Sequence, residues 1–114
     1  MPYIRSRCRP HLGLALLSLV LLLPASALAE EDSRLELGRT LFIEKAEPPC
    51  ALCHTLADAG AQGEIGPSLD VMRPDHETVM RAITQGIGPM LPYDGLSDDE
   101  KDAVAHYVSS VAGK

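Results

Sequence analysis

Five consecutive residues, Cys50-Ala51-Leu52-Cys53-His54, are the ones whose types and spacing can do chemistry. Two thiols three positions apart can each add across one vinyl group on the same edge of a haem. A histidine directly after the second thiol then sits under the iron, where its imidazole nitrogen becomes the proximal ligand, so the spacing reads as covalent haem attachment. Two other uses of a Cys-x-x-Cys pair compete with this. A thioredoxin-like redox pair needs a βαβ setting, and no segment of this chain alternates with the period of two expected of a strand. A structural zinc site needs four protein ligands. Beyond residue 30 only His76 and His106 join His54 and the two cysteines, and no second paired motif occurs.

The elements that must position the motif are helical. Ser33 to Lys45 has apolar positions at Leu35, Gly38, Leu41 and Phe42, with Asp32 or Ser33 as cap and Glu36 three residues after Ser33. That is an amphipathic helix ending before Pro48-Pro49. Gly38 in its interior costs about 1 kcal/mol relative to alanine, which a close approach of another backbone would explain. Thr55 to Asp70 contains Gly60, Gly63, Gly66 and Pro67 and reads as a long loop with at most one helical turn, a length that suits a segment wrapped around something. Asp75 caps a short helix with Val79, Met80 and Ile83 on one face, closed by Gly86. Gly86 to Gly95 is too rich in glycine and proline to be regular. Ser97-Asp-Asp-Glu100 is a capping box opening a last helix whose stripe is Val104, Tyr107, Val108 and Val111. The fold expected is all-α, three or more helices with long loops wrapped around one covalent haem.

Ahead of this lies a targeting segment. Arg5, Arg7 and Arg9 precede an apolar run from Leu12 to Leu23, and Ala27-Leu28-Ala29 supplies a small-x-small processing site. Residues 1–29 are therefore expected to be a secretory signal peptide cleaved after Ala29, and residues 30–114 the single domain. These twelve residues, apolar apart from Ser18, reach roughly 18 Å as a helix, short of the ~30 Å hydrocarbon core, so a retained anchor is disfavoured.

Glu30 to Lys114 carries seven Lys and Arg against all sixteen Asp and Glu of the sequence, a formal charge of −9. A field of that sign repels phosphate backbones and excludes nucleic acid as a natural partner. Phe42, Tyr93 and Tyr107 are its only aromatic residues. A domain this small struggles to stabilise itself by apolar burial alone and usually needs a disulfide, a metal or a cofactor.

Beyond the attachment motif, Gly66-Pro67, the pair Gly38 and Phe42, the pair Val104 and Tyr107, and Met90 in its Gly-Pro loop resemble the class I cytochromes c over nearly the whole exported chain. The resemblance implies that the Pro67 carbonyl accepts a hydrogen bond from the ligating His54, fixing its tautomer and raising its basicity. It implies that the first and last helices cross closely, and that Met90 is the second axial ligand of the iron. The family usually has proline directly after that methionine, whereas here Leu91 intervenes before Pro92. Other candidates fit less well. Met80 shares a core stripe with Val79 and Ile83, Met72 follows His54 by only 18 positions, and His76 and His106 are expected at the surface.

Iron held by His54 and Met90 has no open position, and methionine ligation raises its potential, which suits single-electron transfer rather than catalysis by this chain alone. Glu47-Pro-Pro-Cys-Ala-Leu-Cys-His-Thr-Leu56, Gly66-Pro-Ser-Leu-Asp70 and Gly86-Ile-Gly-Pro-Met90 also resemble the haem subunit of bacterial sulfite dehydrogenases. That implies a partner, a molybdenum-cofactor sulfite-oxidising catalytic subunit forming a heterodimer with this chain. The alternative is a free periplasmic carrier between a respiratory complex and a terminal oxidase or peroxidase. The attachment reading has a direct check. Intact-mass measurement of the exported protein should give Glu30–Lys114 plus one haem that survives acid-acetone extraction; freely extracted haem would refute it.

Overall fold

The computed structural model describes residues 25–114; the apolar run of the expected signal peptide, up to residue 24, lies outside them. The expected all-α architecture is the one adopted, with helices α1 (Ala25–Thr40), α2 (Leu69–Met72), α3 (His76–Gln85) and α4 (Asp98–Val111) among the described residues. No helix among them is long and apolar enough to cross a membrane.

Local chemistry accounts for most of the boundaries. The Ser97 hydroxyl accepts from the Glu100 N–H while the Glu100 carboxylate accepts from the Ser97 N–H, closing both arms of the capping box at α4. That hydrogen bonding to its ionised form holds the Glu100 carboxyl below the usual range. Asp75 accepts from the Thr78 N–H at 2.8 Å and starts α3, and its carboxyl is lowered for the same reason. Sequence patterning misplaces the start of α1. Instead of capping at Ser33, the helix already runs through the expected cleavage point, covering Ala25–Thr40 among the described residues. Ser33 turns its hydroxyl back onto the Glu30 carbonyl at 2.9 Å, a bond a helix interior tolerates, and the Ala, Leu and Glu residues before it are strong helix formers.

At its other end α1 widens into a π-helical turn, Leu41–Lys45, with Leu41 and Phe42 both buried. The expectation that no strand is present needs correction. Thr55–Leu56 (β1) and Ala61–Gln62 (β2) pair antiparallel, with Thr55 opposite Gln62 and Leu56 opposite Ala61. Strands of two residues are too short to show a period of two, so the sequence pattern carries no trace of them.

The core lies where α1 crosses α4, with α3 packed on the other flank of α4. Phe42 and Tyr107 meet edge to face, ring centres 6.0 Å apart and planes at 63°, and Leu41, Leu56, Val104 and Val108 fill in around them. Gly38 explains how close the helices come. A Cβ built on it would overlap the Ala103 carbonyl and lie 2.6 Å from the Tyr107 Cβ, so only glycine permits this crossing. Polar ties outside the core repeat the connection. Asp102 on α4 accepts from Arg34 on α1 and from the His76 Nε2 at the start of α3, so one carboxylate touches three helices. His106, expected at the surface, is largely covered, with its Nε2 2.5 Å from a Glu31 carboxylate oxygen.

Gly38→Ala tests the crossing. Alanine would gain helix propensity but force backbone apart from backbone, and overpacking of this kind costs about 1–3 kcal/mol. The holo-protein should melt at a lower temperature than wild type. An equal or higher melting temperature would show that the helices are free to separate.

Candidate haem-attachment site

The residues expected to attach haem, Cys50, Cys53 and His54, follow the π turn. The chain leaves Ala46, passes Pro48-Pro49, and folds Cys50–Leu52 into one 3₁₀ turn capped by Pro49. The N–H groups of Cys53 and His54 both donate to the Cys50 carbonyl, at 3.1 and 3.0 Å. The two thiols therefore hang from a single short turn, and they are not joined as a disulfide. Burial pushes the Cys50 thiol up to about 11. Redox-active thiols of the thioredoxin type have the opposite shift, a pKa lowered towards neutrality. Among the described residues no group of three or more His, Cys, Asp or Glu is placed to hold a metal ion.

His54 is oriented by the loop that follows it. Its Nδ1 lies 2.8 Å from the Pro67 carbonyl oxygen. A carbonyl only accepts, so Nδ1 carries the proton and donates, leaving the Nε2 lone pair available for a metal. Gly66 packs against the same ring, where an added Cβ would stand 2.5 Å from Cε1 and 2.8 Å from Nδ1. Gly66 is itself fixed by its N–H bond to the Cys53 carbonyl at 2.7 Å. The loop from Thr55 to Asp70 is thus short of free chain. Its hairpin, the Thr55 hydroxyl donating to the Gly63 carbonyl, and the Ala57 N–H donating to Asp70 hold it against the motif.

Met90 lies on a separate segment after α3. It exchanges two backbone hydrogen bonds with Ile87, at 2.9 and 3.0 Å, around the two-residue turn Gly88-Pro89. Its side chain is half-buried against the core, as is Met80, whereas Met72 is exposed. His76 is engaged with Asp102, and His106 with Glu31. Sequence reasoning passed over Tyr93. Its hydroxyl donates to the Pro48 carbonyl at 2.8 Å and lies beside the Cys50 thiol. Burial, with Cys50 next to it, pushes the Tyr93 phenol up to about 12, so it stays a donor through the neutral range. A contact across 45 residues leaves no local signal; only the scarcity of aromatic residues marked it.

The residues present fit a covalently held haem. Free thiols on one turn, a histidine with Nε2 left over, and a ring cradle that a Cβ would fill supply the attachment and the proximal side. Leu52 within the motif, Ile65 beside Gly66, and Ile87 and Leu91 flanking Met90 in sequence are more than 60% exposed, uncovered aliphatics that suit contact with a flat apolar macrocycle. Helices crossing at a glycine, an attachment turn between them and a looped methionine after the third helix define a small c-type cytochrome.

Comparison with known families agrees. The model of the family described as cytochrome C oxidase, cbb3-type, subunit III matches residues 35–108, and the chain belongs to this family of cytochrome c domains. Among solved structures, the crystal structure of the c-type cytochrome SorU from Sinorhizobium meliloti is similar to it. The two are 59% identical, the match covers 73% of this chain and 95% of that one, and the TM-score is 0.72. Comparison with curated proteins returns no match.

The cradle under His54 can be tested with two alanines. Gly66→Ala should displace the ring or the loop and lower the melting temperature of the holo-protein by several degrees, as about 1 kcal/mol does in a domain of this size. Gly95→Ala, where an added Cβ meets nothing within 4 Å, should be indistinguishable from wild type. Equal melting of all three proteins would mean that Gly66 does not hold the ring.

Proposed function

We propose that this chain is an exported mono-haem electron carrier in which Cys50 and Cys53 hold the macrocycle and His54 and Met90 are the two axial ligands. The observation that carries the reading is the hydrogen bond from His54 Nδ1 to the Pro67 carbonyl, which commits one nitrogen and presents the other. When bound, the haem iron supplies one-electron chemistry with little change in coordination, because both axial positions are taken. The remaining work belongs to the chain. Pro67 makes His54 a stronger donor, and Met90 offers a thioether that favours the reduced state.

The segment up to Ala29 is read as a signal peptide, so the carrier works in the periplasm as residues 30–114. The electron source we assign is a molybdenum-cofactor sulfite-oxidising protein. Support comes from the strings around Cys50, Gly66 and Met90, and from the 59% identity to the c-type cytochrome SorU. The exposed Glu44, Glu47 and Glu64 and the net charge of −9 fit approach to a basic face, an attraction screened beyond about 8 Å at physiological salt.

Met90→Ala should abolish the weak near-infrared sulfur-to-iron band of the ferric protein. It should also lower the potential by on the order of 0.1 V, a fraction of the roughly 0.8 V that axial ligands span. Loss of the band in Met80→Ala or Met72→Ala instead would move the ligand. Rapid reduction of the wild-type haem by sulfite plus the molybdenum enzyme supports the partner. Co-elution of the two on size exclusion marks a stable heterodimer, separate elution a mobile carrier, and no reduction refutes the pairing.

A further inference from the structure

The segment from Gly86 to Leu96 carries Met90 but is mostly held by its own neighbours. Ile87 and Met90 bond to each other, the Tyr93 N–H donates to the Ile83 carbonyl at the end of α3, and the Leu96 N–H donates to the Tyr93 carbonyl. None of these bonds reaches the side of the site where the thiols are attached. The Tyr93 hydroxyl does. It donates to the Pro48 carbonyl at 2.8 Å, two residues before Cys50, and with the Cys50 thiol beside it the hydroxyl ties this loop to residues 46–54. Only Leu91 and Pro92 separate Tyr93 from Met90, and proline removes one backbone rotation from that link.

We propose that Tyr93 is a positioning residue for Met90, its hydroxyl latching the ligand loop onto the attachment segment through the Pro48 carbonyl. The proposal rests on the reading of Met90 as an axial ligand. A ligand on a loop leaves the iron at a rate and to an extent set by how readily the loop opens. The apparent affinity of any competing ligand is the intrinsic affinity multiplied by the fraction of molecules in the open state. Removing one tether raises that fraction by the net worth of one hydrogen bond, roughly 3- to 10-fold. A solvent-facing groove of about 310 Å³, lined by Lys45, Glu47, Pro92 and Tyr93 among others, runs alongside the contact. Water can therefore replace the lost partner of Pro48, which keeps the effect within that range and leaves the fold intact.

Imidazole titration of the ferric holo-protein, followed by absorption, reads the opening directly. Tyr93→Phe should keep wild-type helical circular dichroism and the near-infrared band in the absence of imidazole, yet bind imidazole roughly 3- to 10-fold more tightly. In a Met90→Ala background, where nothing has to be displaced, the same substitution should leave imidazole affinity unchanged. Unchanged affinity of Tyr93→Phe in the wild-type background overturns the proposal. An equal gain in both backgrounds overturns it as well, since Tyr93 would then be controlling access to the iron rather than Met90. If Met90→Ala alone binds imidazole no better than wild type, the ligand assignment itself fails, and the latch fails with it. That result is distinct from either failure of Tyr93.

Discussion

At Gly38 the backbone of α1 comes so close to the Ala103 carbonyl of α4 that a side chain cannot fit between them, and the placement of the site follows from that contact. It sets the angle at which α1 delivers Leu41 and Phe42 into the core and hence where the chain emerges at Ala46, four residues before the first thiol. On the partner helix it brings Tyr107 against Phe42 and aims the Tyr107 hydroxyl at Asp58, 2.5 Å away, in the loop after the motif. One crossing therefore fixes the approach to the attachment turn and part of the exit from it. Burial and the Asp58 bond raise the Tyr107 phenol further, so this tie is a neutral donor at any physiological pH.

The loops are organised differently from the helices. In the loops around the site the backbone has little regular structure, and single side chains acting at a distance add to its few backbone bonds. Asp70 accepts from the Ala57 N–H at 2.7 Å, Tyr93 donates to Pro48, and the His54 ring donates to Pro67. Such ties are individually worth about 1 kcal/mol. Their value here is geometric, because they fix two loops relative to a core that contains few large side chains. A macrocycle seated among Leu52, Ile65, Ile87 and Leu91 would add the apolar contact that the polypeptide has not made for itself.

What could be read from the sequence was whatever is encoded locally. The attachment motif, the caps at Asp75 and Ser97, and the odd glycine in the first helix each depend on residues within a few positions, or on one steric requirement. The Gly66-Pro67 pair was legible through likeness to a family, and its geometry with His54 is present. The misreadings share one cause. The two-residue ladder at Thr55 and Ala61 is too short to have a period, α1 extends back beyond Ser33 because nothing there stops it, and His106 is covered by an acidic partner on another helix. Tyr93 belongs with these, since its meaning lies in Pro48 and not in its neighbours.

Asp70 has a second partner besides Ala57. Its other carboxylate oxygen accepts from the Gly113 N–H at 3.0 Å, two residues beyond the end of α4. The tail of α4 and the loop that orients His54 are thereby two spans hung from the same post. A pull on Lys114, from a fused domain, an affinity tag or a surface to which the protein is tethered, is carried through Asp70 into the hairpin behind the haem site.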